Sequence, residues 1–437
     1  MKALDRDILR LAVPALGALV AEPLFLLTDT ALVGHLGETP LAGLSIASAL
    51  LQTVIGLLIF LAYATTPAVA RRLGAGDRPG AIRAGIDGLW LALLLGAVLV
   101  IGGLLFAEPL VTLFGAAPAV TEQATIYLTV SLAGLPAMLL VIAATGLLRG
   151  LQDTKTPLIV AVSGFAANAG LNALFIYGLG AGIAGSAAGT VVAQWAMAAV
   201  YIIIAVRASR SAGVSLRPGL AGVTGAAASG GWLLLRTASL RAALLATVVV
   251  ASGLGVVELA TFQIASTLFF TLAFILDALA IAGQALIGHG LGAADTLRVA
   301  DVTQRLVRWG IGAGVVLGAA IAALSPLLGP VFSSSAEVQR ALTVVVLVMA
   351  IGVPLAGYVF VLDGVLIGAG DARYLALAGL LTLAIYAPIL TTVWMLRPTG
   401  TAGLVWLWLA FGLGYISARA LTLGLRARGT AWMHSGG

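Results

Sequence analysis

The sequence contains no cysteine, so neither disulfides nor thiol chemistry is available to it. Charge is scarce as well. Asp, Glu, Lys and Arg make up 9% of the 437 residues, against about 25% in an ordinary soluble domain. Nor does the chain carry a Gly-rich phosphate loop, a nucleophile elbow or a zinc-ligand cluster. From these absences we expect no enzyme activity, no bound cofactor and no resident metal.

What fills the chain instead is apolar. Hydrophobic residues account for 61%, and the mean hydropathy is +1.12. Apolar runs recur from end to end, each about twenty residues long, which is the length a bilayer-spanning helix needs. Strands of a membrane barrel would alternate over about ten residues, and these runs do not. The sequence therefore predicts an all-α polytopic membrane protein. A net charge of +6 and a pI of about 10.0 would suggest nucleic acid in a soluble chain. Here the basic residues read as cytoplasmic loops facing anionic lipid. We expect membrane lipid and a small-molecule substrate as partners, no nucleic acid, and a monomer.

Twelve helices are predicted, over 8–33, 41–70, 86–106, 120–146, 157–178, 186–207, 229–254, 259–287, 305–324, 338–365, 374–396 and 402–425. Comparing residue i with i+218 reveals an internal repeat. Ile46-Ala47-Ser48 recurs as Ile264-Ala265-Ser266, and Leu73-Gly-Ala-Gly-Asp77 as Leu291-Gly-Ala-Ala-Asp295. Gly134 and Pro136 recur as Gly352 and Pro354, and Gly150 and Asp153 as Gly368 and Asp371. Six helices return the chain to its starting side, so the halves lie parallel about an axis along the membrane normal. The expected division is a six-helix lobe over 1–207, a cytoplasmic linker over 208–228 rich in small residues, and a second lobe with a tail over 229–437. The first segment resembles a secretory signal, with Lys2, Arg6 and Arg10 before an apolar run. Asp5, Asp7 and Pro14 argue that it is retained as a helix. Among the 23 Lys and Arg, only Arg340 and Arg397 fall in predicted outer loops, and Arg236 and Arg241 lie within a span. That asymmetry predicts cytoplasmic N- and C-termini in a plasma or inner cell membrane.

Ionisable groups within such spans are costly and mark function. Asp29 lies about twenty residues into the first span, ~30 Å from its start at 1.5 Å per residue. Phe25 and Glu22 share its face at i−4 and i−7. Poor hydration disfavours the charged form of a carboxylate. Asp29 can then exchange a proton, and Na⁺ or an organic cation competes for the same group. The alternative is that Asp29 merely reaches the outer headgroup region. Pro14 and Pro23 each remove a backbone donor and favour a bend near the carboxylates; the static alternative is that they only shape the helix. Asn168 and Asn172, at i and i+4, can ligate an ion or bond a protonated carboxyl, or simply join helices. Thr145 and Thr190 are weaker members of the same cavity. In the second half Arg236, Arg241, Asp277 and Asp363 are predicted to form a charge cluster, with an Arg236–Asp277 pair. The cluster either holds the lobe together or acts as a gate or relay.

Several motifs, taken in order, resemble the multidrug and toxic compound extrusion (MATE) transporters, specifically the DinF-like branch. They are Ala12-Val-Pro14, Thr28-Asp-Thr-Ala-Leu-Val-Gly-His-Leu-Gly37, Leu73-Gly-Ala-Gly-Asp77, Leu148-Arg-Gly-Leu-Gln-Asp-Thr154 and Asn172-Ala-Leu-Phe-Ile-Tyr177. The second half adds Leu235-Arg-Thr-Ala-Ser-Leu-Arg241 and Leu276-Asp-Ala-Leu-Ala280. The resemblance implies two six-helix lobes forming a V-shaped cleft that opens to alternate faces. It implies export of cationic or amphipathic compounds in exchange for H⁺ or Na⁺. It implies that Asp29 matches the coupling carboxylate of the first helix, Pro14 the proline at which that helix can bend, and Asn168 the asparagine of the fifth helix. Asn172 and Thr145 depart from relatives that carry an aspartate and an asparagine there, which favours H⁺ over Na⁺. Glu22-Pro23 resembles an acidic-Pro pair of plant-like relatives, some of which export organic acids such as citrate, so an organic-acid exporter is an alternative. A lipid-linked precursor flippase is another, and it would need about fourteen helices and a cationic cavity.

Overall fold

The computed structural model describes residues 3–434. Among them every regular element is helical. The helices are α1 (Ala3–Gly34), α2 (Glu38–Leu58), α3 (Phe60–Gly74), α4 (Arg78–Thr112), α5 (Pro118–Leu132), α6 (Leu135–Gly150), α7 (Lys155–Ala173) and α8 (Gly182–Ala212). The second half holds α9 (Leu220–Leu254), α10 (Val256–Gly292), α11 (Thr296–Phe332), α12 (Ala336–Gly368), α13 (Ala372–Leu396), α14 (Thr401–Leu409) and α15 (Ile416–Arg428). Short π-helical turns extend α7 over Leu174–Gly178 and join α14 to α15 over Ala410–Tyr415. Taking α2 with α3 and α14 with α15, eleven spans are long and apolar enough to cross a membrane. The bent pair α5–α6 makes twelve.

The chain separates into two units. Among the described residues, one covers Val13–Gly230; the other covers 231–434 together with 3–12. The expected lobe boundary is thus displaced at the N-terminus. The reason is a half-buried ionic contact at the start of α1. The Asp5 carboxylate accepts from Arg305 Nε at 2.5 Å, Arg305 Nη2 at 2.6 Å and Trp309 Nε1 at 3.0 Å, all on α11.

The linker expected over 208–228 is also corrected. α8 runs on to Ala212 and α9 starts at Leu220, because this small-residue stretch is rich in alanine, the strongest helix former. The remaining loop is tied to α4. Arg83 donates to the Ser215 carbonyl at 2.9 Å, Trp90 to that of Leu216 at 2.8 Å, and Asp87 accepts the Gly219 amide at 2.8 Å.

The two Leu-Gly-Ala-Gly/Ala-Asp repeats do the same local job. Asp77 caps α4 by accepting from the Gly80 amide at 2.8 Å, and Asp295 caps α11 by accepting from that of Arg298 at 2.9 Å. The residue before each Asp turns left-handed, Gly76 at φ 78° and Ala294 at φ 56°. A side chain in that region costs about 1–2 kcal/mol. Ala294→Gly is therefore expected to stabilise the protein by about 1 kcal/mol, read as a higher unfolding temperature in detergent.

Prolines act unequally. α1 runs unbroken through Pro14 and Pro23, so neither interrupts it. The fourth span, expected as one helix over 120–146, breaks at Ala133-Gly134 with a 52° bend between α5 and α6. Pro136 has no amide for the carbonyl four residues back, and Gly134 lacks a side chain to hold the helical turn.

Candidate functional site

Asp29 sits near the end of α1 and is 4% exposed. Three donors converge on it from three other helices of its unit. Asn172 Nδ2 on α7 lies 2.8 Å from Oδ1, Ser186 Oγ on α8 lies 2.5 Å from Oδ1, and Tyr127 Oη on α5 lies 3.1 Å from Oδ2. Asn172 and Ser186 are both fully enclosed. The headgroup alternative for Asp29 is thereby set aside: its carboxylate is turned into the helix bundle. The site is a single carboxylate whose lone pairs are met by hydrogens, the pattern that keeps a buried anion tolerable.

A second layer follows along α7. Asn168, one turn before Asn172, donates from Nδ2 to Thr190 Oγ1 at 2.9 Å. Its amide also lies within 3.3 Å of Asn172 Nδ2. Asn168, Asn172 and Thr190 thus join Asp29 in one polar network.

Beside this network lies a cavity of about 50 Å³. Glu22, Phe25, Asn168 and Thr190 line it, with Met138 of α6 and Gln194 of α8. Phe25 stacks on Phe165 with ring centroids 5.1 Å apart. The Glu22 carboxylate has no hydrogen-bond or ionic partner among the described residues. Pro14, Pro23 and Thr145 do not line this cavity. Thr145 on α6 faces α8 instead and pairs with the Tyr201 hydroxyl at 3.3 Å.

The second unit repeats the geometry with other chemistry. Thr247 stands 218 residues after Asp29, and Tyr386 stands 218 after Asn168. Their hydroxyls bond each other at 2.7 Å, so this counterpart is neutral and closed. Thr145 and Tyr201 correspond to Asp363 and Arg419, and these form an ion pair at 2.6 Å. Arg236 is paired with the same Asp363. Arg236 and Asp363 of the expected cluster are thus in contact, and Arg419 joins them. The cluster's buried centre is Arg236–Asp363–Arg419, Arg419 having been overlooked, and Arg241 is exposed and stands outside it. Asp277 is half-buried on α10.

Tyr127 and Ser186 were also missed. Tyr127 is one aromatic in an apolar span, and Ser186 lies in the small-residue stretch after Gly182 that reads as a turn. Neither has a periodic signal, and they meet Asp29 across 98 and 157 residues of sequence.

Comparison with known proteins agrees with this architecture. The MatE family model matches residues 14–174 and 236–393, one segment in each half. The chain is 28% identical to Protein DETOXIFICATION 43 of Arabidopsis thaliana, covering 95% of this chain and 89% of that one. It is 27% identical to the DNA damage-inducible protein F of Escherichia coli, covering 96% and 91%. Among solved structures, a MOP superfamily transporter from Pyrococcus furiosus superposes with a TM-score of 0.87 at 22% identity, over 97% of this chain and 95% of that one.

Proposed function

Since the chain belongs to the MatE family of multi-pass membrane transporters, we propose that it is a proton-coupled antiporter exporting small organic cations by alternating access. The observation that carries this reading is the Asp29 cage. A proton suits it, because the hydroxyls of Ser186 and Tyr127 can turn from donors into acceptors when Asp29 gains a hydrogen. A sodium ion in the same place would face the amide hydrogens of Asn172. The cavity favours a cation as cargo. An unpaired carboxylate beside a stacked aromatic pair attracts positive charge, whereas an organic acid would meet Glu22 with no counter-charge. The basic loops support cytoplasmic termini in an inner or plasma membrane, so that export runs outward.

The test is ethidium export from proteoliposomes under separately imposed proton and sodium gradients. The proton gradient alone is expected to drive export. Export driven by sodium alone, and not by protons, overturns the coupling assignment. Glu22→Gln is expected to raise the KM for ethidium about tenfold, equivalent to ~1.4 kcal/mol, while the proton dependence persists.

A further inference from the structure

Both halves carry the same Gly-x-Pro motif at the same place, yet only one helix breaks. Gly134-Leu135-Pro136 interrupts α5–α6 with a 52° bend, whereas Gly352-Val353-Pro354 lies inside the continuous helix α12. The preceding neighbour does not explain the difference. A Cβ added to Gly96 would meet Pro136 Cα at 2.6 Å, and one added to its counterpart Gly314 would meet Pro354 Cα at the same 2.6 Å. What differs is the last helix of each half. In the first unit α8 presents Gln194 and Trp195; 218 residues on stand Gly412 and Leu413. A Cβ added to Gly134 would run into Gln194 Oε1, while one added to Gly352 would meet only Gly412 Cα, at 3.7 Å. The Trp195 indole Nε1 donates to the Ala133 carbonyl at 2.9 Å; Leu413 has no donor.

That carbonyl is the critical group. In an unbroken helix it would accept the amide of Ala137. Here the ladder of α6 begins one residue later, where Gly134 accepts from Met138. A carbonyl freed at mid-span has no water to turn to, and leaving it unmet costs several kcal/mol. Trp195 is 41% exposed, so it covers this carbonyl from the outer surface of the unit. We infer that Trp195 is a positioning residue for the substrate cavity: its indole N–H holds the α5–α6 break open, and the break sets the wall formed by Met138 and Gln194. Without that donor the better solution for the backbone is to close the ladder. The helix then straightens and Met138 moves relative to Glu22 and Phe25. Asp29 keeps Asn172 of α7 and Ser186 of α8, two of its three donors, outside the straightened pair, and with them its proton chemistry. The transport consequence rests on the antiporter reading above, but the structural one does not.

The absence of cysteine gives a clean label background. Spin labels at Ala119→Cys and Lys155→Cys bracket the bent pair. α5 and α6 have 15 and 16 residues; straightening them lengthens the label separation by ~5 Å at 1.5 Å per residue. Trp195→Phe, which keeps a ring but loses the donor, is expected to show that lengthening. It is also expected to raise the KM for ethidium about tenfold, with the maximal rate and proton dependence kept. Trp195→His, which retains a ring N–H, is expected to stay close to the unsubstituted protein in both readouts and also serves if the Phe variant folds poorly. An unchanged label distance in Trp195→Phe overturns the pin. A lengthened distance with unchanged KM overturns its link to the cavity, and equal behaviour of the Phe and His variants overturns the role of the hydrogen bond. If the unsubstituted protein exports no ethidium, the antiporter reading fails while the distance measurement still decides the pin.

Discussion

Asp29→Asn is expected to reduce export driven by either ion gradient to the level of protein-free liposomes, while the protein still folds. The two halves of that expectation have separate grounds. The fold survives because the hydrogen bonds can be re-formed. The new Oδ1 accepts from Asn172 and Ser186 as before, and the new Nδ2 donates to the Tyr127 hydroxyl, which accepts instead of donating. The asparagine has nearly the same shape, so the enclosed site needs no repacking. Coupling is lost because, among the described residues, no other carboxylate bonds into this network. A driving ion shifts a conformational equilibrium only through different affinities for the two states, and an amide at 29 has no proton to exchange. Glu22 is the nearest rival on α1. If Asp29→Asn keeps export dependent on the proton gradient and Glu22→Gln loses it, the roles of the two carboxylates are reversed. Unfolding temperatures measured beside transport separate a lost site from a lost fold.

Some of this site can be read directly in the sequence, for a physical reason. Asp29 stands out because charge in an apolar helix survives only with a task, and Asn168 and Asn172 stand out because i and i+4 share a helix face. Tyr127 and Ser186 do not, because a hydroxyl costs too little in a span to mark itself. The duplicated scaffold was legible for a different reason. Its Gly, Pro and Asp markers sit at helix ends and close packings, where few other residues serve. The α5–α6 break was not, since the same Gly-x-Pro stands in both halves and the deciding residue is on another helix. Two members of the charge cluster, Arg236 and Asp363, are legible because charge inside a span stands out, and the structure pairs them. Arg419, near the end of the last span, was counted among the inner loop charges.

That cluster carries the largest stability effect we expect. Asp363→Asn should destabilise the protein by about 3–5 kcal/mol, the usual cost of removing one member of a buried ionic group. Two guanidiniums, Arg236 and Arg419, converge on Asp363. Arg419 is 6% exposed, and its other contact is a weak one to the Leu375 carbonyl at 3.4 Å. An asparagine there returns one neutral acceptor in place of a charge shared by two cations. The repeat supplies the control. Thr145→Val removes the neutral counterpart of the same contact, the bond to Tyr201, and should cost about 1 kcal/mol. The pair of variants thus compares one position of the fold with and without charge. If both lower the unfolding temperature in detergent by the same amount, Asp363 is not the centre of the second unit's stability. If Asp363→Asn unfolds early and Asp363→Asn with Arg419→Gln recovers part of the loss, the cost lies in the stranded cation and not in the missing packing.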